Sequence, residues 1–257
     1  MIDIAVEYGL SSVEGFCVFE FQEPDIESAK KIKIYADSKG INFPCFSVYV
    51  NLVGNDAEDM IERTKKYAEV ADVLDSPFLH HTIVAEFLNP EKVLKNKNEF
   101  FHEGINAVRE IYDYAKTLGV KTIFEDQGFI FNGVEGFKRF LDEVDREVGV
   151  VADFGNIYQS SNNIEQFIAE FSDKICHVHI KDVVLTDSNI LGTEFPTITG
   201  KFMNEVEIGK GIIDFKKCFD MLKDNGYNGY YALEYGANKD GCDSVRKAID
   251  NLDLWLR

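Results

Sequence analysis

The chain alternates between two patterns of apolar positions. Short runs rich in β-branched and aromatic residues predict strands, and longer runs with apolar positions at helical spacing predict helices. The predicted strands are residues 12–18, 42–50, 78–84, 120–125, 148–153, 175–181 and 230–234. The predicted helices are residues 26–39, 56–74, 90–118, 134–146, 163–172, 214–225 and 242–256. Strands that alternate with helices over short connections predict an α/β fold with parallel strands.

Polar and glycine residues mark the ends of several predicted helices. Asp25 precedes one helix and Gly40 follows it, in the positions of a cap and a stop. Asn89 and Pro90 form a cap and a first-turn proline before the longest helical pattern, and Gly119 follows it. These signals favour helices of defined length between the strands.

Seven predicted strands are one fewer than a (β/α)8 barrel contains. The opening "IDIAVEYGLSSVEGF" is typical of a helix end, a stop at Gly9 and then a strand. A strand at residues 2–6 is the alternative, but it leaves no room for a crossover helix. The prediction is therefore a single TIM-barrel domain over residues 1–257 that lacks its first strand at the N-terminus.

Hydrophobic content and net charge argue against two classes of partner, membranes and nucleic acids. The 257 residues are 45% hydrophobic, and no apolar run approaches the ~20 residues that a membrane span needs. A net charge of −18 would repel nucleic-acid phosphates. We therefore expect a small-molecule partner, with no nucleic acid and no membrane.

Five scattered cysteines without a CxxC motif predict reduced thiols in a cytoplasmic protein. The start of the chain is too acidic for a signal peptide.

Four consecutive late strands end on a group that can bind a metal ion. These groups are Glu125, Asp153, His179 and Glu234. In a parallel barrel the C-terminal strand ends lie on one face, where active sites are built. Three carboxylates beside one imidazole would repel one another without a cation. The oxygen and nitrogen ligands suit one divalent ion: Mn²⁺ is expected, and Mg²⁺, Co²⁺ or Zn²⁺ would also fit.

The stretch "ICHVHIKD" contains two histidines on one side of a strand, because side chains alternate with period two. His177, His179 and Lys181 share the face predicted to point into the barrel, and Asp182 points the other way. His179 lies nearer the C-terminal rim than His177, by about two residues at ~3.3 Å each. His179 is thus the expected metal ligand, His177 a buried supporting group, and Lys181 a residue at the mouth of the site.

Five motifs occur in an order that resembles the xylose-isomerase-like TIM barrels, the sugar phosphate isomerase/epimerase superfamily. The motifs are "FEDQG", "VVADFGN", "HVHIKD", "EIGKGIIDF" and "GYNGYYALEYG". The resemblance covers nearly the whole chain from about residue 8. It implies metal ligands at Glu125, Asp153, His179 and Glu234.

The same resemblance implies Glu125 and Glu234 as the acid/base pair of a sugar isomerase or epimerase. A metal that chelates a carbonyl and its adjacent hydroxyl acidifies the C–H between them and stabilises an enediolate. A ligating glutamate near that carbon can take the proton and return it. The expected reaction is the isomerisation or epimerisation of a small sugar, polyol or hydroxy-ketone.

Two departures from the epimerase pattern leave a second reaction open. Asn156 stands where the epimerases have a second histidine, and Leu185 stands where they have an arginine. "HIKD" is closer to the inosose-dehydratase-like and uncharacterised isomerase branches, and a metal-dependent lyase of the inosose or dehydroshikimate dehydratase type is the alternative. Asn156 and Lys181 are the expected substrate-binding residues. A non-catalytic sugar-binding paralogue is a third interpretation, against which the four intact ligands argue.

Other segments are candidates for lining the pocket. "FLHHTIV" places His80 and His81 toward the end of an earlier strand, one facing in and the other out, and His81 is the predicted substrate contact. The resemblance implies that Glu14 in "SSVEGF" is the acid of the second strand, a structural or substrate-orienting group. The long segment 183–213 is a candidate lid, and a plain surface excursion is the alternative. An uncovered barrel edge at the missing strand would favour a homo-oligomer.

Overall fold

The computed structural model describes residues 1–85, 90–160, 163–188, 195–234 and 241–256. The chain divides into two compact units. The first comprises Met1–Ala85, Asn96–Phe124 and Phe140–Gly149, and the second comprises Glu86–Lys95, Glu125–Arg139 and Val150–Arg257. Whether they form the single predicted domain stays a prediction.

All seven predicted strands are present and form one parallel sheet, with neighbours in chain order. They are β1 (Gly15–Phe16), β2 (Phe46–Val48), β3 (Phe78–His81), β4 (Lys121–Glu125), β5 (Gly149–Asp153), β6 (Ile175–Ile180) and β10 (Tyr231–Leu233). This confirms the α/β class and the parallel arrangement. Three further strands, β7 (Asp182–Thr186), β8 (Phe195–Pro196) and β9 (Phe202–Val206), form a separate antiparallel sheet.

Ten helices occur in the described residues. They are α1 (Ile2–Glu7), α2 (Ile26–Lys39), α3 (Ala57–Val73), α4 (Pro90–Lys95), α5 (Lys97–Thr117), α6 (Gly133–Val144), α7 (Phe154–Ser160), α8 (Ile164–Phe171), α9 (Phe215–Asp224) and α10 (Gly241–Trp255). Among the same residues, one 3-10 turn covers Phe19–Phe21. Within the described residues, no helix is both long enough and apolar enough to cross a membrane.

The opening of the chain follows the predicted sequence of elements. Residues 2–7 form helix α1, Gly9 has a φ of 71°, and Ser12 then bridges to Asn42 beside β2. A strand at residues 2–6 is therefore wrong. Asp25 accepts hydrogen bonds from the backbone N–H groups of Glu27 and Ser28, which fixes the start of α2 as predicted.

Three features differ from the predicted elements. The helix predicted over residues 90–118 is broken at Asn96 into α4 and α5. Its expected cap, Asn89, lies outside the described residues. Helix α7 begins directly after β5 and was not predicted. Within segment 183–213, the described residues form the three-stranded antiparallel ribbon.

The core of the first unit packs helix against strand with large apolar side chains. Phe46 of β2 stacks on Tyr67 of α3 at 5.7 Å and meets Phe21 edge-on at 5.2 Å. All three are buried. In the second unit Phe137 of α6 contacts Phe167 and Phe171 of α8 at 5.6 and 5.3 Å. This packing holds the strands whose ends carry the polar residues. The described cysteines, Cys17, Cys45, Cys176 and Cys218, are free thiols.

Candidate metal centre

Four predicted ligands come from neighbouring strand ends in the second unit. Glu125 is the last residue of β4, and Asp153 is the last residue of β5. His179 of β6 pairs directly with Asp153 in the parallel ladder and with Ala232 of β10 on its other side. Glu234 follows β10, and its backbone N–H donates to the carbonyl of Ile180 at 3.1 Å. The ladder therefore sets these side chains level with one another, because aligned residues of parallel strands lie side by side.

The carboxylates converge on one nitrogen of His179. Its Nδ1 lies 3.3 Å from Oε2 of Glu234 and 3.8 Å from both Oε2 of Glu125 and Oδ2 of Asp153. Asp153 and His179 are buried, the Glu125 side chain is nearly so, and the Glu234 side chain is 47% exposed. The cluster thus has three buried members and one accessible carboxylate.

Lys181 supplies the positive charge among these acids. Its Nζ lies 2.8 Å from Oε1 of Glu234, 3.2 Å from Oδ2 of Asp153 and 3.9 Å from Oε1 of Glu205, and the residue is buried. Burial alone would lower the pKa of Lys181, but these carboxylates raise it well above its usual value. The side chain is therefore an ammonium ion, and it balances part of the negative charge of the cluster.

The acids respond to the same surroundings in opposite directions. Burial raises the pKa of Asp153 to about 6, and the Lys181 ammonium opposes that rise. Burial also acts to raise the pKa of Glu234, but Lys181 and His179 outweigh it and hold that pKa well below its usual value. Because Glu234 is half-exposed, water screens part of this interaction. Glu234 is thus an ionised, accessible carboxylate beside a buried cation.

Asn156 links the acid of β5 to the lysine. Its backbone N–H donates to Oδ1 of Asp153 at 2.9 Å, and its side-chain amide donates to Oδ2 at 3.0 Å. The Lys181 ammonium donates to the amide oxygen of Asn156 at 3.4 Å. Asn156 thus orients Asp153 and Lys181 and carries no charge itself.

Gly155 makes room for the lysine. A Cβ atom on Gly155 would lie 2.7 Å from Cδ and 2.8 Å from Cγ of Lys181, closer than real side chains approach. The apolar stem of Lys181 therefore crosses directly over the first turn of α7. The "DFGN" motif brings an acid, a space for the lysine stem and an amide together in four residues.

The two histidines of β6 lie on the same face, as strand phase predicts. Their ring centroids are 5.2 Å apart and the rings meet edge-on at 86°. His177 is fully buried, whereas His179 contacts the carboxylates. The predicted difference in depth between the two imidazoles agrees with this placement.

Other predicted residues lie in the first unit. Ser47 of β2 donates a short hydrogen bond to Oε1 of Glu14, and its hydroxyl also lies 3.0 Å from Nδ1 of His80. His81 packs edge-on against Phe124 at 4.8 Å, and its Nδ1 lies 3.0 Å from the carbonyl of Thr82. Burial lowers the pKa of His81 to about 4. The imidazole that joins Glu14 is thus that of His80, and the substrate contact of His81 stays a prediction.

The second unit also contains functional candidates that sequence reasoning did not identify. Glu205 lies on strand β9, in the segment predicted as a loop or lid. Asp182 was assigned only to the face opposite Lys181. No local pattern shows the contacts of either residue, because Glu205 reaches Lys181 across the ribbon and Asp182 accepts from the backbone of a distant loop.

The donor set fits a divalent cation. Glu125, Asp153 and His179 each offer a ligand atom, and these atoms all lie within 4.8 Å of one another. Carboxylate oxygens with one imidazole nitrogen are the donors that Mg²⁺, Mn²⁺ and Zn²⁺ accept. Glu234 adds a fourth oxygen beside His179. These residues could therefore hold one cation.

Comparison with known proteins identifies the family. A family model described as xylose isomerase-like TIM barrel matches residues 2–257, and the chain belongs to this family. The fold agrees with solved structures. A xylose isomerase domain protein from Planctomyces limnophilus aligns with a TM-score of 0.82 at 17% identity, over 99% of this chain and 91% of that one. A xylose isomerase-like TIM barrel protein from Mycobacterium smegmatis, in complex with magnesium, gives 0.75 at 15% identity, over 100% and 88%.

Sequence relatives include an epimerase and a dehydratase. L-ribulose-5-phosphate 3-epimerase from Escherichia coli is 32% identical over 107 residues, which are 41% of this chain and 31% of that protein. Inosose dehydratase from Geobacillus thermodenitrificans is 26% identical over 138 residues, which are 51% of this chain and 45% of that protein. The matched stretches thus span less than half of the length of these relatives. They support an enzyme of this superfamily.

Proposed function

We propose that this xylose isomerase-like TIM barrel is a divalent-cation-dependent isomerase or epimerase of a small sugar or hydroxy-ketone. The observation that carries the proposal is the cluster of Glu125, Asp153, His179 and Glu234 at adjacent strand ends. A sugar epimerase among the relatives supports the reaction class, and a magnesium-bound structure in the family supports the cation.

Each residue of this cluster has a separate proposed role. Asp153 and His179 are buried and fixed by the strand ladder, so these two ligands would hold the cation at a defined position. Glu234 is ionised and accessible, so it can take a proton from the carbon next to a substrate carbonyl and return it. Glu125 is the second acid/base candidate. The bound cation would supply electrostatic stabilisation of the charge that develops on the carbonyl oxygen.

Asn156 and Lys181 are the proposed substrate-binding groups. The ammonium of Lys181 and the amide of Asn156 present donors beside the accessible Glu234 carboxylate. Hydroxyl and carbonyl oxygens of a sugar accept hydrogen bonds from such groups. The first-unit residues Glu14 and His81 stay predicted substrate contacts.

A dehydratase is the second candidate, and one observation favours it. Lys181 adds a buried ammonium beside the cation ligands and takes the place of none of them. An ammonium at this place can donate a hydrogen bond to a hydroxyl that leaves as water and stabilise the negative charge that develops on its oxygen. The similarity to inosose dehydratase agrees with this alternative.

One assay separates the two reactions. The purified protein is incubated with Mn²⁺ and a panel of ketoses, inososes and dehydroshikimate in ²H₂O, and the products are analysed by mass spectrometry. An isomerase or epimerase product keeps the mass of the substrate, plus one unit for each deuterium that exchanges in, whereas a dehydratase product is lighter by one water. Binding of sugars without turnover would support the non-catalytic interpretation. Failure to bind any divalent cation, or full activity in Glu234→Gln, would contradict the proposal.

The finer assignments stay predictions from the sequence. These are manganese as the cation, a cytoplasmic location, a homo-oligomer and the exclusion of nucleic acid as a partner. Isothermal titration with Mn²⁺, Mg²⁺, Co²⁺ and Zn²⁺ ranks the cations. Light scattering of the same samples gives the oligomeric state.

A further inference from the structure

A buried carboxylate next to Lys181 collects backbone N–H groups from a distant loop. Oδ2 of Asp182 accepts from the N–H of Gly209 and of Gly211, both at 2.8 Å. Oδ1 accepts from Val183 at 2.9 Å and from Ile213 at 3.4 Å. Asp182 is 1% exposed. A buried carboxylate that accepts several N–H groups is strongly held, because each bond is assisted by its charge.

The loop is shaped to reach this carboxylate. A Cβ atom on Gly211 would lie 2.0 Å from Oδ1 of Asp182 and 2.4 Å from the carbonyl oxygen of Val183. Neither atom can move away easily, since one is hydrogen-bonded and the other is backbone. The N–H of Ile212 also donates to the carbonyl of Val183 at 3.0 Å. Only glycine fits at position 211 while the loop lies against Asp182.

The same residue begins the antiparallel ribbon. Asp182 pairs with Val206, and Val183 pairs with Glu205, so β9 runs back toward the loop that Asp182 binds. Lys181 lies two positions before Val183, the partner of Glu205. Lys181 and Glu205 are therefore diagonal neighbours across the ladder. Diagonal neighbours on one face are within reach of long side chains, and Nζ of Lys181 is 3.9 Å from Oε1 of Glu205.

We propose that Asp182 is a positioning residue that sets the place of Lys181 and Glu205 in the site. Its carboxylate fixes the Gly209–Ile213 loop, the loop fixes the end of β9, and β9 presents Glu205 to Lys181. The significance of this for catalysis rests on the proposed function, since it assumes that Lys181 faces the substrate. The positioning itself can be measured without any turnover.

Amine labelling of the whole protein measures whether Lys181 stays in place. The protein is treated briefly with an N-hydroxysuccinimide ester, and modification of each lysine is quantified by mass spectrometry. Amide hydrogen exchange at Gly209, Gly211 and Ile213 is followed in parallel. Asp182→Asn is compared with the wild type, and circular dichroism verifies that it folds. Asp187→Asn is the matched control, because this residue directly follows β7 and has a 93% exposed side chain.

In Asp182→Asn we expect both measurements to change together. Loss of one charge-assisted hydrogen bond should raise the population of locally open states by about tenfold. Labelling of Lys181 and exchange of the loop amides should therefore each accelerate about tenfold, with Asp187→Asn unchanged. Faster exchange in the loop with unchanged Lys181 labelling would show a purely structural role and overturn the proposal. No change in either measurement would overturn it as well.

Two further measurements keep the proposal testable if Asp182→Asn does not fold. Gly211→Ala disturbs the contact from the loop side and should give the same joint acceleration. In the wild type, labelling of Lys181 and exchange of the loop amides are measured over increasing low concentrations of urea. Equal dependence on urea is expected if one opening event exposes both. Different dependence would contradict the coupling.

A double-mutant cycle tests the connection to catalysis. Glu205→Gln, Asp182→Asn and the double variant are compared by kcat and KM on a substrate found by the panel. If Asp182 acts through Glu205, the double variant should be no worse than the poorer single variant, whereas independent effects would multiply. If no substrate is turned over, the proposed function fails, and the labelling result still decides the role of Asp182.

Discussion

Polar residues at strand ends are organised differently in the two units. In the first unit a neutral hydroxyl, Ser47, joins the carboxylate of Glu14 to the imidazole of His80. In the second unit the buried ammonium of Lys181 lies between the carboxylates of Asp153 and Glu234. The first arrangement is a hydrogen-bond chain, and the second is a charge cluster. Removing a member should therefore cost little in the first case and much in the second, because an unbalanced buried charge is expensive.

The largest difference is expected when each acid is neutralised. Glu234→Gln should lower kcat by about 10³-fold, because it removes a proton-transfer group. Glu14→Gln should lower it by about tenfold or less, because the amide keeps the hydrogen bond from Ser47. Both are measured with Mn²⁺ on a substrate from the panel, and circular dichroism checks folding. An equal loss of kcat in the two variants would show that the carboxylates of the two units do not differ in their contribution to catalysis.

The lysine is the next group to test. Lys181→Met should lower the free energy of unfolding of the metal-free protein by about 3 kcal/mol, because buried carboxylates lose their counter-charge. Added Mn²⁺ should restore part of this loss. Urea unfolding with and without Mn²⁺ measures both effects. Lys201→Met is the control, since that ammonium is half-exposed and pairs with the exposed Asp187. A Lys181→Met protein as stable as the wild type would show that the cluster needs no internal cation.

Acidification tests the first unit, where burial keeps one imidazole neutral. The pKa of His81 is about 4 in the folded protein, against ~6.5 when unfolded. The unfolded state therefore binds more protons between these values. The contribution of His81 to stability is present above pH ~6.5 and is lost as the pH falls toward ~4. Between pH 7 and pH 5 it should amount to about 2 kcal/mol.

The measurement for His81 compares variants over that interval. Urea unfolding of the wild type and His81→Asn is followed at several pH values, and their difference isolates the one group. Asparagine keeps a donor toward the carbonyl of Thr82. His102→Asn, at an exposed histidine of α5, is the control for the substitution itself. A parallel pH dependence in wild type and His81→Asn would show that His81 does not titrate in this way.

The smallest effect is expected at the hydroxyl. Ser47→Ala removes the bridge between Glu14 and His80 and should lower the free energy of unfolding by about 1 kcal/mol. Ser38→Ala is the control, because its hydroxyl donates only within α2, to the carbonyl of Tyr35. Both are compared by urea unfolding. If Ser47→Ala lowered the free energy of unfolding as much as Lys181→Met, the hydrogen-bonded group of Glu14, Ser47 and His80 would also depend on a buried charge.

Much of the fold follows from local patterns in the sequence. Helix α2 begins and ends where Asp25 and Gly40 predict, because a cap and a left-handed stop act within a few residues. All seven parallel strands occur where apolar runs predict them. Helix α7 was missed because Phe154 follows Asp153 without a turn signal, and nearly every residue of this short helix is buried. Its seven residues make only about two turns, too few for apolar and polar positions to show a clear helical period.

The candidate site was also predictable in part. Strand ends and strand phase predict that Glu125, Asp153, His179 and Glu234 lie together, since the residues that end parallel strands meet on one face. Phase alone could not choose between His80 and His81, because neighbouring residues of a strand point to opposite faces and either one can face the polar side. The contact of His80 with Ser47 settles which imidazole joins Glu14.

The sequence by itself determined the class of fold, the strand order and the identity of the residues at the strand ends, because periodicity and chain direction are local properties. Only the tertiary structure decided which charges face one another. Glu205 reaches Lys181 through antiparallel pairing across the ribbon, and Asp182 binds Gly209 and Gly211 across a gap of almost thirty residues. Such contacts depend on strand register and on packing between distant segments. Neither can be predicted from a short stretch of sequence.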